Sequence, residues 1–100
     1  MSWNIHPGEM LQEEFMKPLN LNARQLSKLL SVPSPRINDI LLEKRSITAD
    51  TALRLAHYFG TTARFWMNLQ ATYELKNAEK EINELLVTLL VCTDRPQIER

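Results

Sequence analysis

Residues Gln25 to Leu42, QLSKLLSVPSPRINDILL, hold two short apolar-periodic segments around a break at Ser31-Val32-Pro33. In the first segment Ala23, Leu26, Leu29 and Leu30 form an apolar stripe. In the second Ile37, Ile40 and Leu41 repeat at i, i+3, i+4 and must face a core. Two helices joined by a turn of a few residues make a helix-turn-helix, and the second helix has the form that enters a DNA major groove. Asn22 is placed to cap the first helix, with Gln25 three residues on as in a capping box. Ser34 is placed to cap the second, with Pro35 at the first helical position, where its missing N–H would lack a partner anyway.

The flanking chain reads as the scaffold of this unit. Upstream, His6-Pro7-Gly8-Glu9 begins a helix, with proline in the first position and Glu9 where the helix dipole favours negative charge. Met10, Leu11, Phe15 and Leu19 give it one apolar face, and Pro18 ends it. Downstream, Thr48 caps a fourth helix, Asp50 sits in its first turn, and Ala52, Leu53, Leu55, Ala56 and Phe59 form its buried side. Gly60 stops that helix. Thr61 or Thr62 caps a fifth, which carries Phe65, Trp66, Leu69, Tyr73 and Leu75. Leu75, Ile82 and Leu89 lie seven apart, as on a helical seam. The run LLVTLLVC, residues 85–92, reads either as continued helix or as a short strand, because Val87, Thr88 and Val91 are β-branched. It is too apolar for a free tail and is expected to pack on the domain or on a second subunit. Arg95 to Arg100 is expected to fray.

Composition bounds the class. One hundred residues suit one core, and two glycines leave little material for hairpins or phosphate loops, so the fold class is all-α. The division is a helix-turn-helix domain over residues 1–76, with its motif at about 23–42, and a C-terminal extension over 77–100 expected to form a dimer contact. A single cysteine, Cys92, excludes an internal disulfide and a multi-cysteine zinc site. His6 and His57 are isolated, so no metal is expected. No Ser/His/Asp set, paired acids or Gly-rich loop can be assembled, so neither catalysis nor a cofactor is expected. The start of the chain lacks a signal-peptide pattern, and no apolar run approaches membrane-spanning length. A cytoplasmic protein with no membrane partner is the expectation.

The formal net charge is +0, which by itself does not advertise nucleic-acid binding. Distribution matters more than the sum. Between Asn22 and Arg45, Arg24, Lys28, Arg36, Lys44 and Arg45 face only Asp39 and Glu43, and acid concentrates at Glu9, Glu13 and Glu14 and at Glu74, Glu79, Glu81 and Glu84. A basic central block on a neutral chain fits a small DNA-binding module that relies on dimerisation. Ser34, Pro35, Arg36, Asn38 and Asp39 are the base-contact candidates: arginine suits guanine O6 and N7, and aspartate accepts from cytosine N4. Arg24, Gln25, Lys28, Lys44 and Arg45 are the phosphate-contact candidates, which supply affinity rather than specificity. The plainer alternative makes all of these a solvated helix surface. Phe65, Trp66 and Tyr73 have core spacing rather than that of a base-stacking platform.

Several motifs carry a resemblance. Leu26 to Val32, LSKLLSV, is similar to the first half of the phage-repressor helix-turn-helix pattern. HPGEML at 6–11, RINDIL at 36–41, KRSITADTALRLAHYFGTT at 44–62 and RFWMNLQATYEL at 64–75 resemble HigA/VapI-type antitoxins of bacterial addiction modules, in that family's order. The resemblance implies a five-helix lambda-repressor-like domain with an extended C-terminal helix or segment. It also implies a homodimer on an operator palindrome in double-stranded DNA, and a partner toxin of the HigB type that cleaves mRNA. The chain departs from the family pattern at Ser27, Ser31, Ser34, Pro35, Leu42 and Glu43. The last of these places acid where glycine commonly ends the recognition helix. Ser27 and Ser31 are small and tolerable, whereas Glu43 and the missing polar residues at 34, 35 and 42 favour a second reading, a protein-interaction module with the same fold and weak or no DNA binding. A third is a stand-alone regulator without a toxin.

Overall fold

The computed structural model describes the backbone of residues 4–88 and, except at 84 and 86–88, their side chains. Regular structure among these residues is entirely helical: α1 (Pro7–Met10), α2 (Ala23–Leu30), α3 (Ser34–Leu41), α4 (Ala49–Phe59) and α5 (Ala63–Thr88). The five-helix repressor-like architecture expected from the sequence is the one formed.

His6 caps α1 through its Nδ1, which accepts the Gly8 N–H at 2.8 Å. The helix then widens into a π-helical turn, Leu11–Met16, and tightens into a 3₁₀ turn, Lys17–Leu19. In the wide turn the Lys17 N–H reaches back five residues to Gln12, and the extra residue slides the buried face along the chain. Leu11 and Met16 are therefore buried, whereas Leu19, expected on that face, is exposed.

The capping box of α2 forms as expected: Asn22 Oδ1 accepts the Gln25 N–H at 2.8 Å and Gln25 Oε1 accepts the Asn22 N–H at 2.9 Å. Its stripe is narrower than expected. Leu26, Ser27 and Leu30 are buried, while Leu29 is 49% exposed. Ser27 can be buried because its hydroxyl donates to the Arg24 carbonyl at 2.8 Å. At α3 the capping position is Pro33 rather than Ser34, which becomes the first helical residue. The Ser34 hydroxyl turns away from the helix and meets Ser27 Oγ at 3.2 Å. Leu53 on α4 is a further correction: it is 62% exposed, and Thr51 is buried instead.

Four helix ends turn through a left-handed residue, at Asn20, Ser31, Glu43 and Gly60. In each, the following N–H caps a carbonyl five residues back: Leu21 to Met16, Val32 to Ser27, Lys44 to Asp39 and Thr61 to Ala56, at 2.8–3.1 Å. The chain thus turns four times with one glycine. The other glycine, Gly8, lets α1 lie against the end of α3, since a Cβ there would overlap the Ile40 carbonyl.

Leu11, Leu26, Ile37, Ile40, Ile47, Leu55 and Trp66 fill the core. Phe15 packs on Phe59 and Trp66 with ring centroids 5.1 and 4.9 Å apart, closing the first half of α5 onto the bundle. Thr62 Oγ1 caps α5 at the Phe65 N–H (3.0 Å), and Thr61 Oγ1 accepts Trp66 Nε1 at 2.7 Å. Beyond Tyr73 the helix runs past the bundle, which makes the molecule 57 × 25 × 25 Å. Residues 85–88 continue α5 as helix, while 89–92, Cys92 and the expected fraying of Arg95 to Arg100 lie outside the described residues.

Candidate nucleic-acid interface

Successive side chains on α3 are rotated by about 100°. Ile37 and Ile40 are fully buried, so the opposite side presents Pro35, Asp39 and Leu42. Ser34 and Asn38 lie on one flank and Arg36 on the other. The start of α2 and the start of α3 converge beside the first flank. Asn22, Ala23, Arg24, Ser34, Pro35, Asn38 and Asp39 line an open groove there of about 560 Å³. Four of the five base-contact candidates share this groove; Arg36 does not.

The two serines set a polarity in the groove. Ser27 donates its proton to the Arg24 carbonyl, so the Ser27–Ser34 hydrogen bond takes its proton from Ser34. Ser34 therefore offers lone pairs to the groove, not a donor.

Arg36 is drawn toward α4. Its Nη1 lies 2.6 Å from Asp50 Oδ2, and its side chain is only 29% exposed. The same Oδ2 accepts Arg54 Nε at 3.0 Å. Arg54 Nη1 in turn donates to the Leu30 carbonyl at 2.8 Å and the Ser31 carbonyl at 3.4 Å, at the turn of the motif. The hydrogen bonds from Arg54 and then Arg36 hold the Asp50 carboxyl below its ordinary range. A chain of charge-assisted bonds thus ties α3, α4 and the end of α2 together. Asp39 makes a looser pair, 4.0 Å from Arg45.

Of the phosphate-contact candidates, Arg24 lines the groove and Arg45 comes within 4.0 Å of Asp39 there. Arg24 and Lys28 are exposed on α2, and Lys44 and Arg45 are exposed after α3. Gln25 uses its carbonyl in the capping box, which leaves its amide donors available. The segment after Arg45 is pinned to α5, where Gln70 Oε1 accepts the Ile47 N–H at 2.8 Å and Gln70 Nε2 donates to Ser46 Oγ at 3.3 Å.

Sequence reasoning passed over Asp50, Arg54 and Gln70 as contributors to this surface. The spacing of Asp50 and Arg54, four apart on one helix, was a readable signal. The link from Arg36 to Asp50, 14 residues away, was not. Among the described residues no group of three His, Cys, Asp or Glu side chains could hold a metal ion, and no helix is long and apolar enough to cross a membrane.

Comparison with known proteins adds to this geometry. The helix-turn-helix family model HTH_3 matches residues 13–66. Virulence-associated protein I of Dichelobacter nodosus is 48% identical over 95 residues, covering 95% of this chain and 88% of its own length. Among solved structures, the Pseudomonas aeruginosa antitoxin HigA with the higBA promoter is 40% identical, with a TM-score of 0.85 over 91% of this chain and 99% of that one. Antitoxin GraA in complex with its operator is 39% identical, with a TM-score of 0.80 over 91% and 93% of the two chains.

Proposed function

We propose that this chain, which belongs to the HigA/VapI-type family of helix-turn-helix antitoxins, is a DNA-binding autorepressor that also silences a partner toxin. The observation that carries the reading is the groove between the starts of α2 and α3. It is open, it carries Arg24 and four base-contact candidates in its lining, and Arg45 reaches it at Asp39. The likeness to antitoxins solved with a promoter and with an operator supports it.

In this reading residues 1–76 form the DNA-binding domain. Asn38 reads adenine, Ser34 and Asp39 accept from exocyclic amines, and Arg36 reads guanine from the flank. Pro35 packs against a base edge. Arg24, Gln25, Lys28, Lys44 and Arg45 hold phosphates and set the register. Residues 77–100 carry the dimer contact. Leu75 and Ile82, seven apart on the protruding part of α5, are exposed in the single chain and begin that seam. A homodimer then sets two copies of α3 in successive major grooves, about 34 Å apart on an operator palindrome. The family implies a toxin of the HigB type, an mRNA-cleaving enzyme, as the protein partner.

A gel-shift titration of the protein against DNA from upstream of its own gene tests this. Salt-sensitive binding to that fragment, stronger than to random DNA, is expected. Equal affinity for both removes the repressor role and leaves the protein-interaction reading.

A further inference from the structure

We propose that Asp50 is a positioning residue for sequence reading. It takes one N–H of the Arg36 guanidinium and so directs the remaining donors of that side chain at the edge of the reading face. The inference rests on the DNA-binding function proposed above.

Three observations carry it. Arg36 is the only arginine or lysine within α3, and it stands on the flank rather than in the groove. Its Nη1–Asp50 bond of 2.6 Å is the one hydrogen bond its guanidinium makes among the described residues, so Nε, Nη2 and the second Nη1 hydrogen remain for a ligand. Asp50 is itself held, by Arg54 Nε at 3.0 Å, and Arg54 is anchored on the Leu30 carbonyl at 2.8 Å. The carboxylate therefore sits on a braced support rather than on a free side chain.

The physical consequence follows from the flexibility of arginine. A free arginine samples many rotamers and finds any phosphate within reach, which raises affinity for all sequences alike. An arginine fixed by a carboxylate loses that freedom before binding, so less is lost when it meets a base. Its planar fork then matches the paired acceptors of guanine in one direction only. The carboxylate also lowers the positive charge beside the backbone. Asp50 thus trades non-specific affinity for discrimination, and Arg54 supplies the second positive charge that keeps the carboxylate ionised and in place.

The test compares operator and random DNA in equilibrium titrations at several salt concentrations, using the full chain and the variants Asp50→Asn, Arg36→Lys, Arg36→Ala and the double variant Asp50→Asn/Arg36→Ala. Asp50→Asn is expected to bind random DNA more tightly and to steepen the salt slope by about one counterion. Its operator-to-random ratio should fall roughly tenfold, within the range for one lost arginine–guanine pair. Arg36→Lys leaves Asp50 in place and should lose the same discrimination, because an ammonium has no fork. In the Arg36→Ala background Asp50→Asn should cause no further loss of discrimination. An equal fall on operator and random DNA marks a merely structural role and overturns the inference, as does an undiminished loss in the Arg36→Ala background. If the parent protein itself shows no operator preference, the DNA-binding function fails and this inference with it.

Discussion

Replacing Gly8 by alanine sets two effects of opposite sign against each other. Alanine is the better helix former, and on propensity alone Gly8→Ala should stabilise α1 by up to about 1 kcal/mol. The packing says otherwise. An alanine Cβ at this position would overlap the Ile40 carbonyl oxygen, and it would lie 2.9 Å from the Ile40 carbonyl carbon and 3.1 Å from His6 Nδ1. The two Ile40 atoms are backbone, and the His6 ring is buried and can move only by giving up its bond to the Gly8 N–H. Ile40 is fully buried in α3, and its carbonyl holds the Glu43 N–H at 3.0 Å at the end of that helix. Relief requires α1 and the end of α3 to separate by roughly 1 Å, which forfeits a quarter to a half of the dispersion at each contact so opened. Overpacking of this kind costs about 1–3 kcal/mol. Loss of the His6–Gly8 cap adds roughly 1 kcal/mol. Net destabilisation of about 1–3 kcal/mol is expected, a large share of the roughly 5–15 kcal/mol that holds a small domain together. Urea unfolding followed by far-ultraviolet circular dichroism, at one fixed protein concentration because a dimer's midpoint depends on it, measures the change. A variant as stable as the parent, or more so, would refute the claim that α1 and α3 meet backbone to backbone at Gly8.

Four other expectations follow from particular contacts. Glu43→Gly relieves a side chain from φ 63° and removes a negative charge at the end of α3. It should raise stability by about 0.5–1 kcal/mol in thermal melts and tighten binding to all DNA sequences. Lys28→Ala should weaken operator and random DNA alike and lower the salt slope by about one counterion in shift titrations. His6 is a neutral acceptor at its cap, and burial pushes its pKa below 6.5 in spite of Glu43 and Glu9. The unfolded chain therefore binds the extra proton first, so the stability contribution is full above pH 6.5 and is lost as pH falls from there through the folded-state pKa. His6→Asn keeps a capping acceptor but cannot titrate, and should flatten the stability curve below pH 6.5. Truncation after Glu84 removes Leu89 and the apolar run 85–92 from the proposed dimer contact and should convert a dimer to a monomer or an insoluble chain. Sedimentation equilibrium reads the outcome, and a soluble dimer counts against the seam.

Much of the scaffold was legible because its signals are local. The Asn22–Gln25 capping box, the Thr48 cap, Pro7 in a first turn and Gly60 at a helix end each depend on residues within one turn of one another. The buried positions of α3 also followed from spacing, since Ile37 and Ile40 recur at the helical period and only one side of a surface helix meets a core. The separated motifs from His6 to Leu75 pointed to the antitoxin family. Local signals misled where neighbouring elements decide. Leu19, Leu29 and Leu53 belong to apolar patterns yet face out, because a π turn shifts one face and because eight- and eleven-residue helices are covered by neighbours on only part of their stripes. Ser27, Thr51 and Gln70 look like surface residues and are buried, because each finds a hydrogen-bond partner on the spot.

The sequence alone therefore determined that residues 6–75 form a helical domain with a helix-turn-helix, and where α2, α3 and α4 begin and end to within a residue or two. Periodicity and capping are properties of a few consecutive residues, and no distant contact is needed to express them. Only the tertiary structure decided what the surface of α3 presents. It divided the candidates into Ser34, Pro35, Asn38 and Asp39 in one groove and Arg36 on the flank. It also turned Asp50 and Arg54, ordinary in sequence, into the support of the one arginine in α3. The direction of a long charged side chain depends on which opposite charge the fold brings within hydrogen-bonding distance, and here that charge lies 14 residues away on another helix.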